Sequence, residues 1–139
     1  IWFTGHSLGA AMATIVASRC YQDNDCPDPA ELYTYGSPRV GDGDYVSCFN
    51  FPHHRYVNNN DIVTRVPMYI MGYRHHGTLH YFNCNGVEKK LTAWGKFKDR
   101  LVGLGRGIMK LQMDSFSDHN ITTYAEQCEG VLVLKNKVK

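Results

Sequence analysis

Gly5-His6-Ser7-Leu8-Gly9 follows Ile1-Trp2-Phe3-Thr4 and runs on into Ala10-Ala11-Met12-Ala13. The upstream residues are apolar and strand-like, and the downstream stretch is dominated by alanine with Met12, Ile15 and Val16. The pentapeptide therefore sits where a strand hands over to a helix that can pack closely on a sheet. Such a turn is so tight that side chains two residues before and after its centre would strike neighbouring backbone. Glycine is needed at both places, and Gly5 and Gly9 supply it. Ser7 is thereby presented on a sharp turn of the kind that exposes a nucleophile for acyl transfer. The helix starts beside it, so the Leu8 N–H and the positive helix end are available to a developing oxyanion. An ordinary small-residue turn is the competing reading, and the flanking pattern argues against it.

The chain has 139 residues, 43% of them apolar and 20% charged, an ordinary globular composition with the length of a single domain. No apolar run approaches the ~18–20 residues needed to cross a bilayer, and the N-terminus lacks the basic-then-apolar order of a signal peptide. The chain starts on Ile1, already inside a predicted strand, so sequence carrying a signal or an anchor is expected upstream if there is one; localisation stays open. Of the five cysteines, Cys20, Cys26, Cys48, Cys84 and Cys128, no pair has C-x-x-C spacing, which argues against a zinc site. Reduced, partly buried thiols are the preferred expectation. A Cys20–Cys26 bridge around Gln22-Asp23-Asn24-Asp25 is the alternative.

The formal net charge of +2 hides an asymmetry: seven Lys and Arg face the single Asp99 between Lys89 and Lys110. Interleaved with Leu91, Trp94, Phe97, Leu101 and Val102, this segment could meet an anionic lipid surface, but a solvated face of a peripheral helix is the favoured reading. Gly103-Leu104-Gly105-Arg106-Gly107 does not follow a strand and lacks G-x-G-x-x-G spacing, so it reads as a break rather than a phosphate loop. No nucleic-acid partner is expected, and the oligomeric state is left open.

Along the chain, the first helix should end near Cys20, and a polar loop from Gln22 to Pro29 leads to a short strand, Leu32-Tyr33-Thr34-Tyr35. One or two helical turns are expected from Asp44 to Asn50. Arg55-Tyr56-Val57 reads as a further strand broken by Asn58-Asn59-Asn60, and Leu79-His80-Tyr81-Phe82 with Val87-Glu88 as a strand or hairpin. Strands alternating with helices predict a mainly parallel α/β sheet with right-handed crossovers.

A serine hydroxyl becomes a competent nucleophile when a histidine takes its proton, and the histidine needs a carboxylate to fix its tautomer. In this architecture the acid and then the base follow the serine, on loops after later strands. Asp61 lies just beyond the Arg55–Val57 strand, where such a sheet gathers its site. Asp42 and Asp44 better suit a helix cap, and Asp23, Asp25 and Asp28 a solvated loop. Of seven histidines, His119 has the required late position, in Ser117-Asp118-His119-Asn120 ahead of a helix-like Ile121 to Glu129. His6 points the wrong way on the elbow, His53 and His54 precede a strand, and His75, His76 and His80 surround another. His76 and His80 would share a helix face, but Gly77-Thr78-Leu79 between them argues for extended chain rather than a metal pair.

Four ordered blocks now carry a family resemblance: Thr4 to Ala10, Tyr33-Thr34-Tyr35-Gly36-Ser37-Pro38-Arg39-Val40-Gly41-Asp42, Asn60-Asp61-Ile62-Val63-Thr64-Arg65-Val66-Pro67, and Asp118-His119 with Tyr124. Together they resemble the class 3 lipases, the fungal-type triacylglycerol lipase family, over nearly the whole chain. The resemblance implies an α/β-hydrolase fold with Ser7 as nucleophile, Asp61 as acid, His119 as base and Leu8 N–H in the oxyanion hole. It implies a lipid or other ester substrate and no metal or organic cofactor. In that family the early strands, the second oxyanion donor and the lid precede the elbow. Residues 1–139 are therefore expected to be one partial domain, the C-terminal half of the fold, beginning at the elbow strand and weakly active or inactive alone. Phospholipase A1, feruloyl esterase and a non-catalytic lipase-like interaction module are the alternatives.

Overall fold

A computed structural model describes residues 1–83, 85–89 and 117–137. Strand β1 (Trp2–His6) leads through Ser7 into α1 (Leu8–Gln22), followed by β2 (Glu31–Tyr35), a short α2 (Gly43–Ser47) and β3 (His53–Asn58). Two single 3₁₀ turns, Val63–Arg65 and Tyr69–Met71, precede β4 (Thr78–Phe82) and the short β5 (Glu88–Lys89). Helix α3 (Ile121–Lys137) closes the described chain. The strands form one sheet in the order β1-β2-β3-β4-β5; β1 to β4 run parallel and β5 returns antiparallel on β4. This is the expected parallel α/β arrangement, and it sends the segments after β1 and β3, with Ser7 and Asp61, out of the same end of the sheet.

Helix α1 packs through Ala10, Ala11, Thr14, Ala17 and Ser18, all buried. Small side chains let its axis approach β1 and β2, and the two hydroxyls are satisfied by the helix itself: Thr14 Oγ1 donates to Ala10 O at 2.9 Å and Ser18 Oγ to Ile15 O at 2.8 Å. Below this face Ala17, Leu32, Phe49 and Phe51 form the apolar core, with Phe3, Ala13 and Tyr45 against it. Asp42 accepts from the Tyr45 N–H at 2.9 Å, which caps α2 as its position in the turn suggests.

Several details differ from the sequence reading. Cys20 and Cys26 are disulfide-bonded, with Cα atoms 5.1 Å apart, so the expectation of reduced thiols is corrected for this pair. Helix α1 runs to Gln22 and its exit turn, in which the Asp23 N–H donates to Cys20 O, brings the two cysteines together. Cys48 and Cys128 are thiols. His53, His54 and Asn58 belong to β3 rather than flanking it, because the parallel pairing with β2 and β4 spans them. Helix α3 continues beyond Glu129 to Lys137. The basic segment after Lys89 and the glycine-rich break at 103–107 lie outside the described residues. Among the described residues no helix is long and apolar enough to cross a membrane, and no group of three or more His, Cys, Asp or Glu could hold a metal ion.

Candidate active site

Ser7 has φ 57° and ψ −128°, a conformation L-residues rarely adopt and one that costs about 1–3 kcal/mol. The strain has a local cause. The Ser7 N–H donates across to Tyr35 O at 3.0 Å, and its carbonyl already accepts from Ala10 and Ala11, so the chain reverses within one residue. A Cβ on Gly5 would come within 2.7 Å of Ala10 N, which is why only glycine fits there, whereas a Cβ on Gly9 would meet nothing within 4 Å, so the clash expected at both glycines is corrected to Gly5 alone. A serine at a helix N-cap ordinarily turns its hydroxyl back onto the helix. Here the side chain makes no capping bond and is left for another partner.

That partner is His119. Its Nε2 lies 2.7 Å from Ser7 Oγ, and its Nδ1 lies 2.9 and 3.1 Å from the two carboxylate oxygens of Asp61. Asp61 is fully buried, while the His119 side chain keeps 16% of its exposure, so the imidazole stands between a dry carboxylate and a half-buried hydroxyl. With Nδ1–H donated to the carboxylate, Nε2 is the lone-pair nitrogen that faces the serine. The structure thus brings together Ser7, Asp61 and His119, which are far apart in sequence. Leu8 opens α1, and its N–H is the first amide beyond the serine on the positive helix end.

Further groups hold this constellation. The Tyr124 hydroxyl, at the centre of a fully buried side chain, donates to Asp61 Oδ2 at 2.6 Å and accepts from the Asn58 N–H at 3.0 Å. Burial and the neighbouring carboxylate push the Tyr124 phenol well above its ordinary range, so it is a permanent donor. Asp61 Oδ1 also accepts from the Val63 N–H at 2.9 Å. The His119 turn is clamped from three sides. Asn58 Nδ2 donates to Asp118 O at 2.9 Å, Asn59 Nδ2 and the Asn60 N–H donate to Asp118 Oδ2, and His6 Nε2 donates to His119 O at 2.8 Å. The Asn58-Asn59-Asn60 run, which reads in sequence as a strand breaker, is the receptor for the loop that carries His119. His6 faces away from the serine hydroxyl, as its place on the elbow suggests, and orders the neighbouring backbone. Gly36, with φ +59°, is the remaining residue that sequence reasoning passes over. A Cβ there would fall 2.8 Å from Asp61 Oδ2 and 3.0 Å from the His119 ring.

The other histidines serve elsewhere. His80 is in β4, with Nδ1 2.7 Å from Glu88, and its Nε2 is 3.1 Å from His54. His53 Nδ1 is 3.1 Å from His76, and the His53 Nε2 faces Thr34. His75 Nε2 donates to Thr64 O. Burial lowers both His53 and His75 to about 3, with nearby cationic groups adding to the effect.

A parallel sheet with a strained serine between β1 and α1, and a buried Asp–His pair facing it from later loops, defines an α/β-hydrolase with a serine–histidine–aspartate constellation. Residues 1–71 match the family described as Lipase (class 3), and the chain belongs to that family. It is 37% identical to the secreted mono- and diacylglycerol lipase 1 of Fusarium solani over 93 residues, 65% of this chain and 27% of that protein. The solved triacylglyceride lipase of Rhizomucor miehei superimposes with a TM-score of 0.55 at 34% identity, covering 63% of this chain and 35% of that one. A second solved triacylglycerol lipase, whose catalytic centre is a serine protease triad, gives 0.55 at 32% identity over the same shares. The chain spans about a third or less of the length of these relatives.

Proposed function

We propose that this chain carries the catalytic triad of a serine carboxylic ester hydrolase, a lipase acting on acylglycerols, with Ser7 as nucleophile, His119 as base and Asp61 as acid. One observation carries the reading: the continuous Ser7 Oγ–His119–Asp61 relay, with both contacts at hydrogen-bond distance and Ser7 held in a strained elbow.

In the reaction, Ser7 Oγ attacks the ester carbonyl carbon as its proton passes to His119 Nε2. Asp61 stabilises the imidazolium through Nδ1 and is not itself protonated. The carbonyl oxygen, now an oxyanion, is met by the Leu8 N–H at the positive end of α1. Collapse of the tetrahedral intermediate breaks the bond to the alkoxide oxygen, which leaves with the proton from His119, and the acyl group stays on Ser7. Water then gives its proton to His119, attacks the acyl carbon, and releases the acid as the proton returns to Ser7. No metal or organic cofactor is called on, and the net reaction adds one water across the ester bond, the alcohol leaving with the original Ser7 proton and the water proton replacing it on Ser7.

The fold alone would not justify a substrate, since one hydrolase scaffold carries many esters. Acylglycerols are favoured by the family and by the lipases this chain is similar to. The test is labelling with a fluorophosphonate probe, read as a stable adduct on Ser7 by peptide mass spectrometry, followed by hydrolysis of nitrophenyl esters of increasing acyl length. Labelling at Ser7 that Ser7→Ala abolishes, with preference for longer acyl chains over feruloyl esters, is the expected result. Absence of an adduct would favour a lipase-like interaction module. A preference for phospholipid or feruloyl substrates would keep the hydrolase and overturn the lipase assignment.

A further inference from the structure

Asn120-Ile121-Thr122 is the one place in the sequence where an asparagine is followed two residues later by serine or threonine with no proline between. This is the acceptor pattern for N-linked glycans, and a pattern so short recurs by chance. Two things decide whether it is used: room for a sugar on that side chain in the folded protein, and passage of the chain through the compartment where the transfer is made.

The turn from Asp118 to Asn120 divides its side chains between two sides. Asp118 Oδ2 accepts from Asn59 Nδ2 at 3.0 Å and from the Asn60 N–H at 3.2 Å, and His119 is held between Asp61 and Ser7. Asn120 belongs to neither contact. It is exposed, as are Ser117 before the turn and Ile121 and Thr122 after it. Its backbone is fixed nonetheless, since its N–H donates to Ser117 O at 3.1 Å and its carbonyl accepts from the Tyr124 N–H at 3.3 Å.

The two ends of the Asn120 amide have different fates. Oδ1 accepts from the Thr122 N–H at 2.9 Å, which satisfies an orphan donor in the first turn of α3. Nδ2, the atom that takes a glycan, has no partner among the described residues. Asn58 and Asn59 differ in this respect, because both use Nδ2 to hold Asp118. A sugar on Asn120 Nδ2 therefore breaks none of the bonds that place His119.

The second observation is the bridge between Cys20 and Cys26, whose Cα atoms are 5.1 Å apart. Disulfides form and persist in oxidising compartments and are rare in the reducing cytosol. In a eukaryotic cell the oxidising compartment is the secretory lumen, where oligosaccharides are also transferred to asparagine. The bridge and the acceptor pattern lie in separate parts of the chain and point to the same place.

We infer that Asn120 is an N-glycosylation site, taking an oligosaccharide from a lipid pyrophosphate donor. A bond forms between Nδ2 and the anomeric carbon of the first sugar as the bond from that carbon to the pyrophosphate oxygen breaks. The lipid pyrophosphate leaves with the electron pair, and Nδ2 gives up one proton. The glycan then stands on the solvent side of the turn, beside His119 in the chain. The inference does not rest on the hydrolase reading.

The test is secretion of the whole chain from a eukaryotic cell behind a cleavable leader, with Thr122→Ala and Thr122→Ser in parallel. Peptide N-glycosidase in heavy-oxygen water converts a glycosylated asparagine into a labelled aspartate, which mass spectrometry of the peptide spanning position 120 detects. Wild type should carry the label there and gain mobility on a gel after treatment. Thr122→Ala keeps the Asn120 side chain and the backbone N–H it caps, so it should be secreted without the label. Thr122→Ser keeps the acceptor pattern and should restore it. Secreted wild type with position 120 unlabelled would overturn the inference, and so would a label that persists in Thr122→Ala. Because the readout on wild type needs neither variant nor activity, it stands apart from labelling at Ser7.

Discussion

Replacing Tyr124 by Phe removes one oxygen and keeps the ring, so it isolates the two hydrogen bonds that this hydroxyl makes in the buried centre of the site. The first, 2.6 Å to Asp61, is a charge-assisted bond, worth about 1.5–3 kcal/mol. The second is accepted from the Asn58 N–H, which has no water to turn to, and its loss leaves a buried donor unpaired at a cost of about 1–3 kcal/mol. The two overlap, because the vacated space lets both neighbours relax, so about 3 kcal/mol is the expected total. In urea, with a slope of roughly 1–3 kcal/mol per molar for a chain of this size, the midpoint should fall by at least about 1 M at unchanged slope. The variant should still be labelled at Ser7, more slowly than wild type, because Asp61 keeps the Val63 N–H and His119 but loses its strongest donor. A midpoint within a few tenths of a molar of wild type would refute the reasoning, since it would mean that neither bond is made in solution. A fall in stability with labelling unaltered would refute only the positioning of Asp61.

Acid should destabilise the fold through histidines outside the triad: His53 and His75 stay neutral when folded down to about pH 3, whereas the unfolded chain protonates them near their ordinary 6.5. The unfolded state then holds the extra protons, so stability is full above about pH 6.5 and falls by about 1.4 kcal/mol per pH unit per ring below it, levelling off near 3. Unfolding free energies from urea titrations at pH 8 and pH 5 should differ by about 2 kcal/mol per ring, and a flat profile would exclude buried neutral imidazoles. Gly36→Ala places a methyl group 2.8 Å from the Asp61 carboxylate at a left-handed backbone position. It should cost about 1–2 kcal/mol of stability and slow fluorophosphonate labelling by on the order of tenfold or more; wild-type labelling kinetics would show that Asp61 and His119 do not meet beside this glycine.

The parts of this molecule that were legible in sequence are those fixed by local sterics or by chain order. The elbow is one such part, since Gly5 is dictated by contacts with Gly9 and Ala10, within a few residues of it. The parallel sheet is another, because β1, β2, β3 and β4 are each announced by an apolar or aromatic run between turn-forming residues. Asp61 and His119 could be nominated because a sheet of this kind delivers its loops to one end in a known order. What sequence could not supply was anything decided by contact between distant segments. Tyr124 meets Asp61 across 63 positions, and Asn58 binds Asp118 across 60. Nothing in Asn58-Asn59-Asn60 announces a docking surface for another loop, because the partner that gives those amides a purpose is elsewhere. The Cys20–Cys26 bridge was named in sequence only as the alternative to reduced thiols for a related reason: whether two thiols meet depends on where α1 ends, and α1 runs past the predicted stop.

The way His119 is carried follows from the same long-range contacts. Its turn precedes α3, and the described attachments of that region to the sheet are strongly polar: Tyr124 to Asn58 and Asp61, Gln127 to Asn58 Oδ1 at 2.8 Å, and Asp118 to the Asn58–Asn60 run. An apolar helix face packed on a sheet tolerates small sliding motions at little cost, because dispersion is weakly directional. A network of directed donors and acceptors tolerates almost none, since a shift of one ångström breaks several bonds and strands buried groups. For an element that must keep an imidazole at hydrogen-bond distance from both a serine and a carboxylate, the directional attachment is the one that fixes position. The polar residues gathered around Asn58 are therefore better understood as the device that sets the geometry of His119 than as a source of fold stability in their own right.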